Sequence, residues 1–192
     1  MSCVVGVVSK GKVWMGADSA ASDGEDMISL VNQKIFFNGP FLIGCVGSIR
    51  MTQLLQYKLQ VPAFLGSDSN DDNFDLSRYM ATVFVDSIQK VFHDNGFSLF
   101  RDDHTSEGVS LIGYHGHLFR MEGDLQMVER AEGYEAIGCG SPYALGTLFT
   151  KTDEPACQRV KRALEASHHF SAHVRPPYVV RSEEEHDGGK AA

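Results

Sequence analysis

The sequence predicts one α+β domain, with antiparallel sheets packed face to face between layers of helix. Three observations carry this expectation. The first forty-eight residues alternate short β-branched runs with turn signals. Two later stretches, 76–95 and 155–167, repeat apolar residues at helical spacing. The elements run in the order strands, two helices, strands, two helices, which suits sheets layered with helices.

The opening run Cys3-Val4-Val5-Gly6-Val7-Val8 is mostly apolar and places two valines side by side, the pattern of a strand buried on both faces. Ser9–Lys12 is a turn signal and Val13–Asp18 a second strand, so the pair reads as a hairpin that returns Asp18 to the neighbourhood of residue 2. Two further runs, Lys34–Phe37 and Phe41–Val46, flank the turn Asn38-Gly39-Pro40. If all four runs share one sheet, Ser2, Asp18 and Lys34 meet at one edge. Ser48–Leu59 has helical spacing with Ser48 as N-cap. Gly66–Asn73 is an acidic connector that lacks the glycine and terminal glutamate of a calcium loop. From Leu76 to Asn95 a long helix turns Tyr79, Met80, Val83, Phe84, Ile88, Val91 and Phe92 toward the sheet and ends at Asn95-Gly96. Segment 97–104 has no assignable pattern. A hairpin around Gly116 follows, then short strands at 125–129 and 134–138. Ser141–Thr150, with Pro142 in its first turn, and Pro155–Ser167 are the last helices. Tyr178–Val180 is a final strand, residues 2–181 form the single domain, and 182–192 read as a charged, disordered tail.

With 192 residues, 43% hydrophobic, the chain has room for a sizeable core. Its formal charge of −8 argues against a nucleic-acid surface. No apolar run is long enough to span a membrane, and the N-terminus has no signal-peptide pattern, so a cytoplasmic protein is expected. Cys3, Cys45, Cys139 and Cys157 form no CxxC pair. Cys45 and Cys157 read as small buried hydrophobes, and Cys3 as a rival nucleophile only if Ser2 were also removed. The histidines at 115, 117, 168, 169 and 173 complete no ligand set, so neither metal nor cofactor is expected.

Ser2, Asp18 and Lys34 are a chemically suggestive triplet. Removing Met1 gives Ser2 a free α-amine of pKa about 7.7–8.0, making nucleophile and base one residue. A buried Lys34 ammonium disfavours a second positive charge beside it, and Asp18 holds Lys34 in place. By spacing alone, Asp18–Lys34 also reads as an ordinary strand-end ion pair beside a frayed terminus.

The motifs carry more. Gly16-Ala17-Asp18-Ser19-Ala20-Ala21-Ser22-Asp23-Gly24 follows the opening hairpin, Ser2 and Lys34 each stand sixteen residues from Asp18, and Ala136-Ile137-Gly138-Cys139-Gly140-Ser141-Pro142-Tyr143-Ala144 comes later. In order and spacing these resemble the proteasome β-subunits and HslV peptidase, within the N-terminal nucleophile hydrolases. The resemblance covers about residues 2–50 and 133–170. It implies a four-layer αββα sandwich and a peptidase forming an acyl-enzyme on Ser2. Ser2 takes the place of the family's threonine, and Asp18 and Lys34 take the places of its acid and lysine. The Gly47 or Ser48 N–H would form the oxyanion hole, and Ser22 would hold substrate as an added strand. Cys139 stands where a serine assists the terminal amine, Ala20 where an arginine is frequent, and His169 where a supporting aspartate is expected, with Ser171 a candidate second supporting serine. The resemblance further implies a homo-oligomeric ring or double ring, a polypeptide substrate and an ATP-driven unfoldase partner. A non-proteolytic amidase or acyltransferase of the same superfamily, and a catalytically silent ring protein, are the other readings.

Overall fold

The computed structural model describes residues 2–22, 26–64, 72–97, 108–150 and 153–188. Strands β1 (Cys3–Ser9) and β2 (Lys12–Ala17) form the expected hairpin. After β3 (Ala20–Ser22) and β4 (Met27–Ser29) come β5 (Ile35–Asn38), β6 (Phe41–Gly47) and helix α1 (Ile49–Tyr57). Helix α2 (Asp72–Tyr79) passes through a π-helical turn at Met80–Phe84 into α3 (Val85–Asp94). Strands β7 (Gly108–Tyr114), β8 (His117–Met121), β9 (Met127–Glu129) and β10 (Tyr134–Gly138) precede α4 (Ser141–Phe149), α5 (Ala156–Phe170), β11 (Val179–Ser182) and α6 (Glu183–Gly188).

The four opening runs do not share one sheet. One antiparallel sheet has the order β10-β1-β2-β11, the other β5-β6-β7-β8-β9, and β3 and β4 pair as a separate ribbon. Strand β1 explains why two sheets are needed. Cys3, Val5 and Val7 belong to the cluster under α4 and α5, whereas Val4 joins Ile35, Leu42 and Leu111 between the sheets. A strand that is apolar on both faces requires a helix layer on one side and a second sheet on the other. On the outer face of the second sheet, α1, α2 and α3 bury Leu54, Leu55, Met80, Phe84, Ile88 and Phe92. The result is the αββα sandwich.

The helix after α1 departs from expectation at Val83, which is 37% exposed. Leu76, Met80, Phe84, Ile88 and Phe92 are buried at a strict four-residue interval. Four residues overshoot an α-helical turn of 3.6, so such a stripe drifts around a regular helix. The π turn at Met80–Phe84, wider by about one residue per turn, holds the stripe on the sheet and turns Val83 outward.

The tail also departs from expectation. Ser182 closes β11, and 183–188 form α6. The buried Glu183 carboxylate accepts from the Val13 N–H (2.7 Å) and the Gly116 N–H (3.2 Å), tying the chain to the hairpin ends of both sheets. A charge-rich segment avoids disorder here because two backbone donors need an acceptor at that end. Residues 189–192, most of the acidic connector 66–73, and segment 97–104 beyond Phe97 lie outside the described residues.

Candidate active site

Asp18 is the joint of the site. It follows β2 directly, and its side chain is fully buried. Asp18 Oδ1 accepts from the Cys3 N–H (2.9 Å) and from the Lys34 ammonium (2.6 Å). Asp18 Oδ2 accepts from the N–H groups of Ala20 (3.1 Å) and Arg175 (3.4 Å). One carboxylate thus holds the start of β1, the residue before β5, the start of β3 and the loop before β11. Charge-assisted bonds of this kind are the strong ones. Burial pulls the Lys34 ammonium below its ordinary pKa, and the adjacent Asp18 charge opposes that shift.

Ser2 lies against this joint. It is 7% exposed, as is Lys34, and both line a cavity of about 120 Å³ together with Ala21, Val46 and Gly47. Its carbonyl accepts from the Cys139 thiol (3.4 Å) and the Gly140 N–H (3.5 Å). Gly138, with φ +91°, lets the chain pass there, since a Cβ would stand 2.2 Å from the Ser2 carbonyl oxygen. Cys139 Sγ also lies 3.7 Å from Ser171 Oγ. The Ile-Gly-Cys-Gly stretch and the end of α5 therefore both support the chain's first residues.

Gly47, at φ +93°, ends β6 on the cavity wall, and Ser48 follows as the N-cap of α1. The Ser48 hydroxyl accepts from the Met51 N–H at 3.2 Å. A helix start presents N–H groups that no preceding turn consumes, here close to Ser2. Ser22 lies in β3 opposite Met27, one residue beyond the cavity-lining Ala21.

Cys3 cannot serve as the rival nucleophile. Its side chain points to the other face of β1, fully buried, with Sγ 3.6 Å from Ser167 Oγ, and burial pushes its pKa up to about 12. Cys157 is half-buried rather than buried. His169 does not reach the site: it is exposed, edge-on to Phe170. The position that does support Asp18 from this part of the chain is the Arg175 backbone, and a backbone donor leaves no trace in residue identity. Two of the other histidines are occupied elsewhere, His117 with Glu129 (2.9 Å) and His168 with the Val174 carbonyl (2.7 Å). Among the described residues no three His, Cys, Asp or Glu side chains cluster as metal ligands, and no helix is long and apolar enough to cross a membrane.

Comparison with solved structures shows whose architecture this is. BPH from Thiobacillus denitrificans, solved in complex with epoxomicin, matches 94% of this chain and 97% of its own, with a TM-score of 0.73 at 19% identity. Eukaryotic HslV from Trypanosoma brucei matches 94% of this chain and 98% of its own, with a TM-score of 0.65 at 14% identity. The chain has an HslV-like N-terminal nucleophile hydrolase fold. Anbu from Pseudomonas aeruginosa, solved as a helical assembly, covers 95% of this chain and 80% of its own at a TM-score of 0.66 and 14% identity. No protein-family model matches the sequence, and no curated protein matches it. The fold likeness is therefore carried by backbone architecture, with few shared residues.

Proposed function

We propose that this chain is a proteasome/HslV-type peptidase whose nucleophile is Ser2, exposed as the N-terminal residue by removal of Met1. The observation that carries the reading is the Asp18 carboxylate, which binds the Cys3 N–H and the Lys34 ammonium at once and so fixes the start of β1 beside Lys34 on a cavity wall. Ser2 Oγ attacks the substrate carbonyl while the Ser2 α-amine takes its proton. The Lys34 charge keeps that amine neutral and able to accept. The tetrahedral oxyanion receives hydrogen bonds from the Gly47 or Ser48 N–H, a contribution worth about 2.7–4 kcal/mol where such a donor is removed. Collapse breaks the C–N bond, and the amine returns its proton to the leaving group. Water then attacks the seryl ester with the same amine as base, releasing the acid and restoring Ser2. Asp18 and Cys139 are positioning residues, the first for Lys34 and the second for the Ser2 carbonyl, and Ser22 lends its strand edge to the substrate.

BPH binds epoxomicin in its solved complex, which supplies the first probe. Intact mass should show the chain without Met1, and a shift on Ser2 after treatment with epoxomicin or a peptide β-lactone. Ser2→Ala should lose the adduct and all turnover while keeping its melting temperature. Retained Met1 with no adduct overturns the reading in favour of a silent assembly protein, and cleavage of small amides alone favours the amidase. The helical assembly of the Anbu neighbour supports homo-oligomerisation here, and the ring is the form that the motif resemblance implies. A polypeptide substrate then implies an unfoldase partner, tested by ATP-dependent degradation of a folded substrate.

A further inference from the structure

Residues 171–178 join α5 to β11 with no helix or strand of their own, yet they touch the site at three points. The Arg175 N–H donates to Asp18 Oδ2 (3.4 Å), the Arg175 carbonyl accepts from the Ser19 N–H (3.2 Å), and the Pro177 carbonyl accepts from the Ser19 hydroxyl (2.6 Å). Any residue but proline could supply that N–H at position 175. The Arg175 side chain is what fixes where it lies. It folds back onto the end of α5, where Nη1 donates to the carbonyls of Val174 (3.1 Å) and Ser171 (3.3 Å). Ser171 is the C-cap of α5, and the carbonyls of a helix end lack helical partners and carry the negative end of the dipole. From the last turn of α5, His168 Nδ1 braces the same Val174 carbonyl at 2.7 Å. Val174 itself is fully buried under α4 and α5.

We infer that Arg175 is a positioning residue of the active site: its guanidinium clamps the segment after α5, so that its own N–H holds Asp18 and, through Asp18, Lys34 and the start of β1. The inference rests on the peptidase reading above. The two oxygens of Asp18 belong to one rigid carboxylate. Oδ1 aligns the Cys3 N–H and the Lys34 ammonium, and whatever stops Oδ2 from turning keeps that alignment. Without the clamp Oδ2 retains the Ala20 N–H, a donor only two residues along the same chain that moves with Asp18. The Arg175 N–H comes from a different part of the fold and does not. Rotation of the carboxylate carries Lys34 away from the Ser2 amine, and a displacement of about 1 Å can cost on the order of 100-fold in rate. Both guanidinium bonds leave from one nitrogen, so a lysine ammonium, with three N–H groups, can take them over.

The test is peptidase kinetics well below the melting temperature of each variant. Arg175→Met should lower kcat on the order of 10- to 100-fold with KM within about twofold, since the interaction lost acts on the chemical step. Arg175→Lys should stay within about fivefold of the parent in kcat. Glu183→Ala removes a support at the opposite end of β2 from Asp18, and its kcat should stay within about twofold. If Arg175→Met folds poorly, Arg175→Gln, neutral and too short to reach both carbonyls, takes its place with the same expected loss. Parent-like kcat in the neutral variant, an equal kcat loss in Glu183→Ala, or no rescue by lysine overturns the inference. A peptide β-lactone separates the two readings. A parent Ser2 labelled no faster than the Ser2 of the neutral variant overturns the role of Arg175 and leaves the peptidase standing. A parent Ser2 that takes no label overturns the peptidase, and the role with it.

Discussion

Asp18→Asn removes one charge and changes nothing in size, so its effect isolates what the carboxylate does. Asp18 accepts four hydrogen bonds, two on each oxygen. An amide nitrogen can accept none of the pair it faces, so at least one backbone N–H loses its partner, at about 1–3 kcal/mol. The Lys34 ammonium meanwhile becomes a buried charge without a counter-ion, and breaking such a pair costs about 3–5 kcal/mol. The expected loss is therefore about 4–8 kcal/mol, enough to unfold a marginal domain. The pH dependence has a definite sign. Burial already holds the Lys34 pKa below its ordinary value, and removing Asp18 removes the influence opposing that. In the variant the unfolded chain binds the Lys34 proton more tightly than the folded one. Stability should then rise with pH from the lowered folded pKa toward the usual lysine range, more steeply than in the parent. Adding Lys34→Met removes the orphan charge, and Asp18→Asn/Lys34→Met should recover at least about 2 kcal/mol over Asp18→Asn while staying inactive. Urea unfolding at pH 7 and pH 9 reads all of this. A loss under about 1 kcal/mol in Asp18→Asn, or no recovery in the double variant, would refute the account of Asp18 as a charged joint.

Three other perturbations probe the supports. Gly138→Ala places a Cβ 2.2 Å from the Ser2 carbonyl at a φ of +91°, so the chain start must shift, and peptidase activity should fall about 100-fold; Gly146→Ala, with nothing within 4 Å, should be neutral or slightly stabilising in the same assay. Cys3 and Cys45 should resist alkylation of the native protein at pH 8 while Cys139 and Cys157 react, as peptide mass mapping would show. The folded pKa values of Cys3 and Cys45 are raised to about 12 and about 11, so the stability they contribute is full below about pH 9 and lost as pH climbs through those values. Melting temperature should decline over that window, and less steeply in Cys3→Ala. Glu183→Ala orphans the Val13 and Gly116 N–H groups and should cost about 2–4 kcal/mol by urea unfolding; a change within about 0.5 kcal/mol would mean the tail is not anchored there.

Residue types and intervals carry part of this molecule. The valine-rich opening run, the hairpin that brings Asp18 back to residue 2, the Ser48 cap and the Asn95-Gly96 stop are local signals, and each marks an observed feature. The Asp18–Lys34 pair is present, but not by the shared sheet edge that the sequence suggests: β2 and β5 lie in different sheets, and the ends of the two strands meet across the sandwich. What was not legible depends on distant segments. Arg175 reaches Asp18 through its backbone, and Glu183 is ordered by donors about 170 and 67 positions away. His169 holds the expected place along the chain but faces solvent, because the helix turns Ser167 inward two residues earlier.

Period, turn chemistry and capping act over a few residues, so the sequence by itself marks most strands and helices locally, whereas β3 and α6 carry no such local mark. Long-range packing is what divides the opening strands between two facing sheets, puts a π turn in the long helix, and sets Ser2 rather than Cys3 on the cavity wall. Those outcomes depend on which apolar face finds which partner across the whole chain, and a stretch read alone contains its own pattern but not its neighbours.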